Sequence, residues 1–332
     1  MMHEKLLTII VPTYNRRESL RKGLEALIPQ VERHKDQVSL YISDNCSDDG
    51  TAEVVGGFQA RYPDLIGYKR QSSNLGAQGN FRDAVLSVSS KYVVLMSDDD
   101  CVLPWYVEVV LSQLNKYPNV GLINYNALSV SSSGQYIGVR DPLVTCGDPK
   151  YYAIGGEFIK EHTRIPSLVS SNVFNRQSFV DCISSVNPED YPGYTWYAIL
   201  LKGILDKPCV YIDQPLFLQY VPVHQRWEQN AAWYTSYGLS HLFSDLDKIH
   251  GGILDAWKSE YIRSGYDRYC LEIIGKYQKD YRTRYDVLMR YSASDYFSKN
   301  LKCFVFNSER YRYLVLSLWP RIVNKLKRLL HV

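Results

Sequence analysis

Three consecutive carboxylates, Asp98, Asp99 and Asp100, close an apolar run in "KYVVLMSDDDCVLP" at 91–104. Like charges side by side repel, so the triplet costs stability unless a cation or solvent offsets it. One aspartate could cap a helix opened by Pro104, but a cap uses one acid, not three. The chemical alternative is a divalent-cation site. Mg2+ or Mn2+ takes hard oxygen ligands, often one or two carboxylates together with substrate phosphates. A second stretch, "SDNCSDDGT" at 43–51, sets Asp44 directly behind another apolar run, where its carboxylate could accept hydrogen bonds from a base or ribose. Asp48, Asp49 and Gly50 read as turn residues, and Thr51 as the cap of the helix that follows.

These acids need a scaffold. "LLTIIV" (6–11), "VSLYIS" (38–43), "LIGYKR" (65–70) and "YVVLMS" (92–97) read as strands. Helical spacing separates them at 17–28, 51–62 and 78–88 and follows the last at 104–117. Regular strand–helix alternation implies an α/β fold with an open, mostly parallel sheet. Such sheets bind ligands outside the carboxyl ends of their strands. Polar clusters recur there: Thr13-Tyr14-Asn15, Asp44-Asn45, Ser73-Asn74 and Asp98–Asp100. After about residue 128 the alternation breaks. A hairpin is expected at 129–141, strands at 167–175 and 208–221, a helix at 194–204, and mainly helices from 227 onward.

The chain is long enough for a full core. Its net charge of only +3 argues against a nucleic-acid partner. Eight Lys or Arg stand against Glu309 alone from Lys299 to Val332, a local +7 that leaves −4 for the rest. In "RIVNKLKRLLH" (321–331), Ile322, Val323, Leu326, Leu329 and Leu330 share a helical face edged by basic residues. That pattern suits an anionic membrane surface, a helix packed on the body, or a homo-oligomer contact. Seven scattered cysteines without a CxxC pair fit a reducing compartment. No run approaches the roughly 18 apolar residues of a membrane span. The expected location is cytoplasmic, peripheral at the inner face of the plasma membrane. Neither G-x-G-x-x-G nor G-x-x-x-x-G-K-[ST] is present, which disfavours dinucleotide dehydrogenases and P-loop NTPases.

"IIVPTYNR" (9–16), "ISDNCSDDGT" (42–51), "SSNLGAQGNF" (72–81) and "VVLMSDDDCVLP" (93–104) together resemble glycosyltransferase family 2, most closely its abequosyltransferase-like O-antigen branch. The resemblance implies a GT-A fold and an inverting transfer from a nucleotide-diphosphate sugar, with Mg2+ or Mn2+ as cofactor. It further implies an undecaprenyl-diphosphate-linked oligosaccharide as acceptor. Residues 1–226 would form the GT-A domain, with 1–125 binding the nucleotide sugar and 126–226 the acceptor. Residues 227–332 would form a helical C-terminal region.

By the same resemblance Pro12, Thr13, Tyr14, Arg16, Asp44, Asn74, Gly76, Asp98 and Asp99 bind the nucleotide, and Asp100 coordinates the metal, with Asp98 and His224 as further candidates. Aligned through Pro104, the family's first acidic position falls on Ser97, so one carboxylate of the usual motif is missing. Asp190, or its neighbour Glu189, corresponds to the general base. The same two acids could instead serve only to place negative charge at a helix start. Arg226 would meet the diphosphate. Rival readings are a metal-dependent nucleotidyl- or phosphotransferase and a non-catalytic carbohydrate-binding protein with a degenerate site.

Overall fold

The computed structural model describes residues 5–131, 134–140, 147–163, 168–221 and 238–263. Strands β1 (Leu7–Thr13), β2 (Val38–Asp44), β3 (Ile66–Arg70) and β4 (Tyr92–Leu95) alternate with helices α1 (Arg17–Arg33), α2 (Thr51–Arg61) and α3 (Gly76–Leu86). The short β5 (Cys101–Val102) and helix α4 (Tyr106–Lys116) follow. β1 pairs in parallel with both β2 and β4, and β2 with β3. The second half contributes β6 (Leu122–Ser131), β7 (Tyr136–Val139), β8 (Lys150–Tyr152), β9 (Asn172–Asn175) and β10 (Cys209–Val221). Its helices are α5 (Gly155–Glu161), α6 (Arg176–Cys182), α7 (Thr195–Ile204), α8 (Leu239–Ile249) and α9 (Ile253–Arg263).

One sheet runs through both halves in the order β3-β2-β1-β4-β9-β6-β10-β5, with β7 on β6 and β8 on β10. The expected parallel arrangement holds over the first four strands. β9 then lies antiparallel between β4 and β6, so the whole sheet is mixed. Side chains alternate across it as a pleated strand requires. Ile9 and Val11 of β1 face a core with α1, α2 and α4, while Ile10 faces one with α3 and α5 to α9. Buried on both faces, β1 reads as a continuous apolar run.

Two local expectations change. The helical spacing that ends at Ile28 continues through Pro29 to Arg33. Proline removes one helix hydrogen bond, but tertiary contacts hold the last turn. Val31 is buried, and the Gln30 amide donates to Leu103 O and accepts from Val107 N. Thr51 is the first helical residue of α2, not its cap. Asp49 Oδ1 accepts both its N–H and its hydroxyl.

α6 and α7 cross almost in backbone contact. A Cβ added at Gly203 would sit 2.6 Å from Ser178 O, which cannot swing away like a side chain. Gly203→Ala would ordinarily favour the helix by about 1 kcal/mol. Here overpacking by about 1–3 kcal/mol outweighs that gain. Thermal unfolding should show a midpoint lowered by a few degrees; a raised midpoint would mean the helices can part without loss.

Candidate active site

The site is built where β1, β2 and β4 end together. β1 and β2 run in register to Thr13 and Asp44. Asn45 N then donates to Thr13 O, so the two strand-end loops leave the sheet joined. Asn15 donates its N–H to Ser47 Oγ and accepts Asp48 N on Oδ1. Asn45 donates to Asn74 Oδ1 and accepts Leu75 N, while Asn74 also accepts Gly76 N. Asn15 (φ 52°), Cys46 (φ 70°) and Gly76 (φ 71°) occupy the left-handed region in these loops. For Cys46 that conformation is costly and persists because Ser47 N, beside it, is held by Asp44 Oδ1. Side-chain amides thus brace three loops around the crevice.

The three aspartates are not equivalent. Asp98 is 6% exposed and accepts from Thr13 Oγ1 at 2.7 Å and from Arg16 Nη1 at 3.1 Å. Burial pushes its carboxyl up to about 6, with Arg16 and the Thr13 hydroxyl holding it back. Asp100 is 5% exposed, accepts from Ser170 Oγ at 2.5 Å, and is pushed up to about 8 by burial against the pull of Ser170 and of Tyr220's backbone N–H. Asp99 alone of the three is open, its side chain 32% exposed, and pairs with Arg16 and the Ser97 hydroxyl. Burial works against the charge on Arg16, but Asp98 and Asp99 prevail and hold its proton more tightly than usual.

This revises several expectations. None of the triplet caps a helix, because β5 intervenes and α4 begins at Tyr106 behind Trp105. Asp98 is no idle turn residue; it ties Thr13 to Arg16. Asp100, expected as the direct metal ligand, is buried with Oδ2 on the Ser170 hydroxyl, and Asp99 is the more exposed carboxylate of the two. Asp44 is fully buried, with Oδ1 accepting Ser47 N and Oδ2 the Tyr68 hydroxyl. Both of its oxygens are thus engaged within the protein, one by the loop after β2 and the other by β3. Beside it Arg70, 4.0 Å from Asp44 and half exposed, donates twice to Ser47 O. Sequence reasoning passed over Arg70 because an arginine ending a strand is ordinary. Its only signal was its place at the carboxyl end of β3.

Pro12 and Thr13 are buried, while Tyr14 and Arg16 reach solvent at the crevice. Asn74 and Gly76 lie at the start of α3, exposed on the same side. Glu189 is exposed and Asp190 half-buried in a turn before α7. α7 begins only at Thr195 and carries no acid in its first turn, so these carboxylates do not serve its dipole. His224, Arg226 and the basic tail lie outside the described residues.

Among the described residues no three His, Cys, Asp or Glu side chains converge to hold a metal unaided. Asp99 nevertheless suits a hard cation that takes one or two carboxylates and fills its shell with water and phosphate oxygens. The guanidinium beside Asp98 and Asp99 marks this as a place where positive charge is favoured.

Residues 8–163 match the family model described as glycosyl transferase family 2. The chain carries a glycosyl transferase family 2 domain. Within the chain it is 31% identical over 117 residues to the abequosyltransferase RfbV of Salmonella typhimurium, covering 35% of each protein. Over 178 residues it is 25% identical to the GalNAc(5)-diNAcBac-PP-undecaprenol beta-1,3-glucosyltransferase of Campylobacter jejuni, covering 52% of this chain and 56% of that one. The chain thus spans about a third of the first of these relatives and just over half of the second. Among solved structures, S. aureus TarS 1–349 matches with a TM-score of 0.61 at 13% identity, over 87% of this chain and 81% of that one. The mannosyltransferase PcManGT from Pyrobaculum calidifontis, in complex with GDP-Man and Mn2+, matches with a TM-score of 0.53 at 14% identity, over 98% and 88%. The fold is GT-A. The strand-end cluster falls inside the family 2 domain, whereas the turn bearing Glu189 and Asp190 lies beyond its matched residues.

Proposed function

We propose that the chain transfers one sugar from a nucleotide-diphosphate donor to a hydroxyl of a lipid-linked oligosaccharide, inverting the anomeric centre, in surface polysaccharide assembly. The observation that carries this reading is the Arg16 guanidinium bridging Asp98 and Asp99 beside Thr13, at the joined ends of β1 and β4 in a family 2 domain. A nucleoside diphosphate brings the negative charge that Arg16 can meet, and a cation could join it to Asp99.

The residues divide the work. Thr13, Arg16, Asn74 and the loops braced by Asn45 position the nucleotide, and Arg70 with the Asp44–Tyr68 pair forms the wall of its base pocket. Asp99 would hold Mg2+ or Mn2+, which when bound neutralises charge on the departing diphosphate. Asp190 removes the acceptor hydroxyl proton as that oxygen bonds the anomeric carbon and the bond to the diphosphate breaks. The lipid-linked acceptor is suggested by the printed activity of the Campylobacter relative. No helix among the described residues is long and apolar enough to cross a membrane. Contact with the inner membrane face would fall to the basic tail. Calorimetric titration of UDP, GDP, dTDP and CDP, with and without Mn2+, tests the reading. Tighter binding of at least one diphosphate with Mn2+ is expected, and no binding under either condition would favour a degenerate carbohydrate-binding protein.

A further inference from the structure

The turn carrying Asp190 is gripped from two directions. On one side its next residue, Tyr191, is buried and donates its hydroxyl to Asp245 Oδ2 of α8 at 2.5 Å, while accepting from Lys202 Nζ of α7 at 2.8 Å. Lys202 and Asp245 themselves stand 3.8 Å apart. Gly238, at the head of α8, lies so close to Pro192 O that an added Cβ would be 3.0 Å away. These contacts fix the turn to the helices behind it, not to the donor site.

The link to the donor site comes from Gln78, in the first turn of α3 and two residues beyond Gly76. Its Oε1 accepts the backbone N–H of Trp196 at 2.9 Å, and its Nε2 donates to Gly193 O at 3.4 Å. Trp196 is the second residue of α7, so its N–H is one of the donors a helix leaves unsatisfied at its start. α7 has no side-chain cap of its own: Tyr194 stands at the capping position without such a bond. A residue of the donor half therefore caps the helix that follows the acidic turn. Gly193, at φ 76°, gives the turn the left-handed reversal that presents its carbonyl to Gln78.

We propose that Gln78 is a positioning residue that locks the acidic turn to the donor-binding loop, so that Asp190 meets the acceptor in register with the sugar nucleotide. This rests on the reading of Asp190 as the general base. Misplacing a catalytic group slightly costs rate more than affinity, since the donor's own contacts remain.

Two variants test it. Gln78→Ala removes both bonds, whereas Gln78→Glu keeps an acceptor for Trp196 N–H. Turnover is read as nucleoside diphosphate released from whichever member of a UDP-, GDP-, dTDP- and CDP-sugar panel the wild type hydrolyses. Hydrogen exchange at residues 195–198 is read on the protein alone. Gln78→Ala should lower kcat about tenfold or more with donor KM held within about twofold, and exchange at 195–198 should quicken. Gln78→Glu, which keeps the Trp196 bond but loses the donor to Gly193 O, should keep the exchange protection and show a kcat between those of the wild type and Gln78→Ala. Unchanged kcat in Gln78→Ala would overturn the proposal, as would a loss confined to KM or a Gln78→Glu variant as slow as Gln78→Ala. Wild-type turnover by Asp190→Asn would instead sink the base assignment, whatever Gln78 does.

Discussion

Asp99→Asn should reduce transfer by about a thousandfold or more while leaving the thermal midpoint unchanged or slightly higher. Asp99 is the one carboxylate of the triplet with substantial exposure, and it neighbours two other acids. Its charge therefore contributes little to folding and much to any cation and diphosphate held at the strand ends. Asparagine keeps an oxygen for the Ser97 hydroxyl but supplies no charge for the metal. Asp98→Asn should behave differently. It weakens the bonds from Thr13 and Arg16, so a stability loss of about 1–2 kcal/mol accompanies the lost activity. Asp100→Asn separates the two assignments of the metal. If it proves as damaging as Asp99→Asn at unchanged stability, Asp100 and not Asp99 carries the cation. Steady-state kinetics and thermal melts on the three variants provide the comparison.

Asp190→Asn should lower kcat by about a hundredfold to ten-thousandfold while the nucleotide binds as before. The amide is nearly isosteric but cannot take the acceptor's proton. Asp190 sits in a turn anchored by Tyr191 and Gln78, so the change should not disturb the fold. Glu189, exposed one residue earlier, provides the control: Glu189→Gln should retain most of the rate. Reversal of the two effects would move the base to Glu189. Calorimetry with the nucleotide, alongside single-turnover rates, separates binding from chemistry.

The first half of the sheet was legible because its signals are local. Four apolar runs at regular spacing announce strands buried on both faces, and the polar clusters behind them mark the crevice. What escaped the sequence depends on partners distant along the chain. Asp100 reads as an open strand-end acid until Ser170 and Tyr220, far along the chain, bond to it. Asp44 looks open until the Tyr68 hydroxyl of the neighbouring strand occupies it. Gln78 is an unremarkable helical glutamine until α7, more than a hundred residues later, arrives without a cap of its own. Pro29 misleads in the other direction, since its local cost is outweighed by the bonds Gln30 makes to the loop around Leu103.

The measurement that bears most directly on glycosyl transfer is phosphorus NMR of the products formed from a nucleotide sugar with Mn2+. A transferase that breaks the bond between anomeric carbon and diphosphate releases an intact nucleoside diphosphate, and that is the expected signal. Release of a sugar 1-phosphate or of a nucleoside monophosphate would contradict it and make the chain a nucleotidyl- or phosphotransferase.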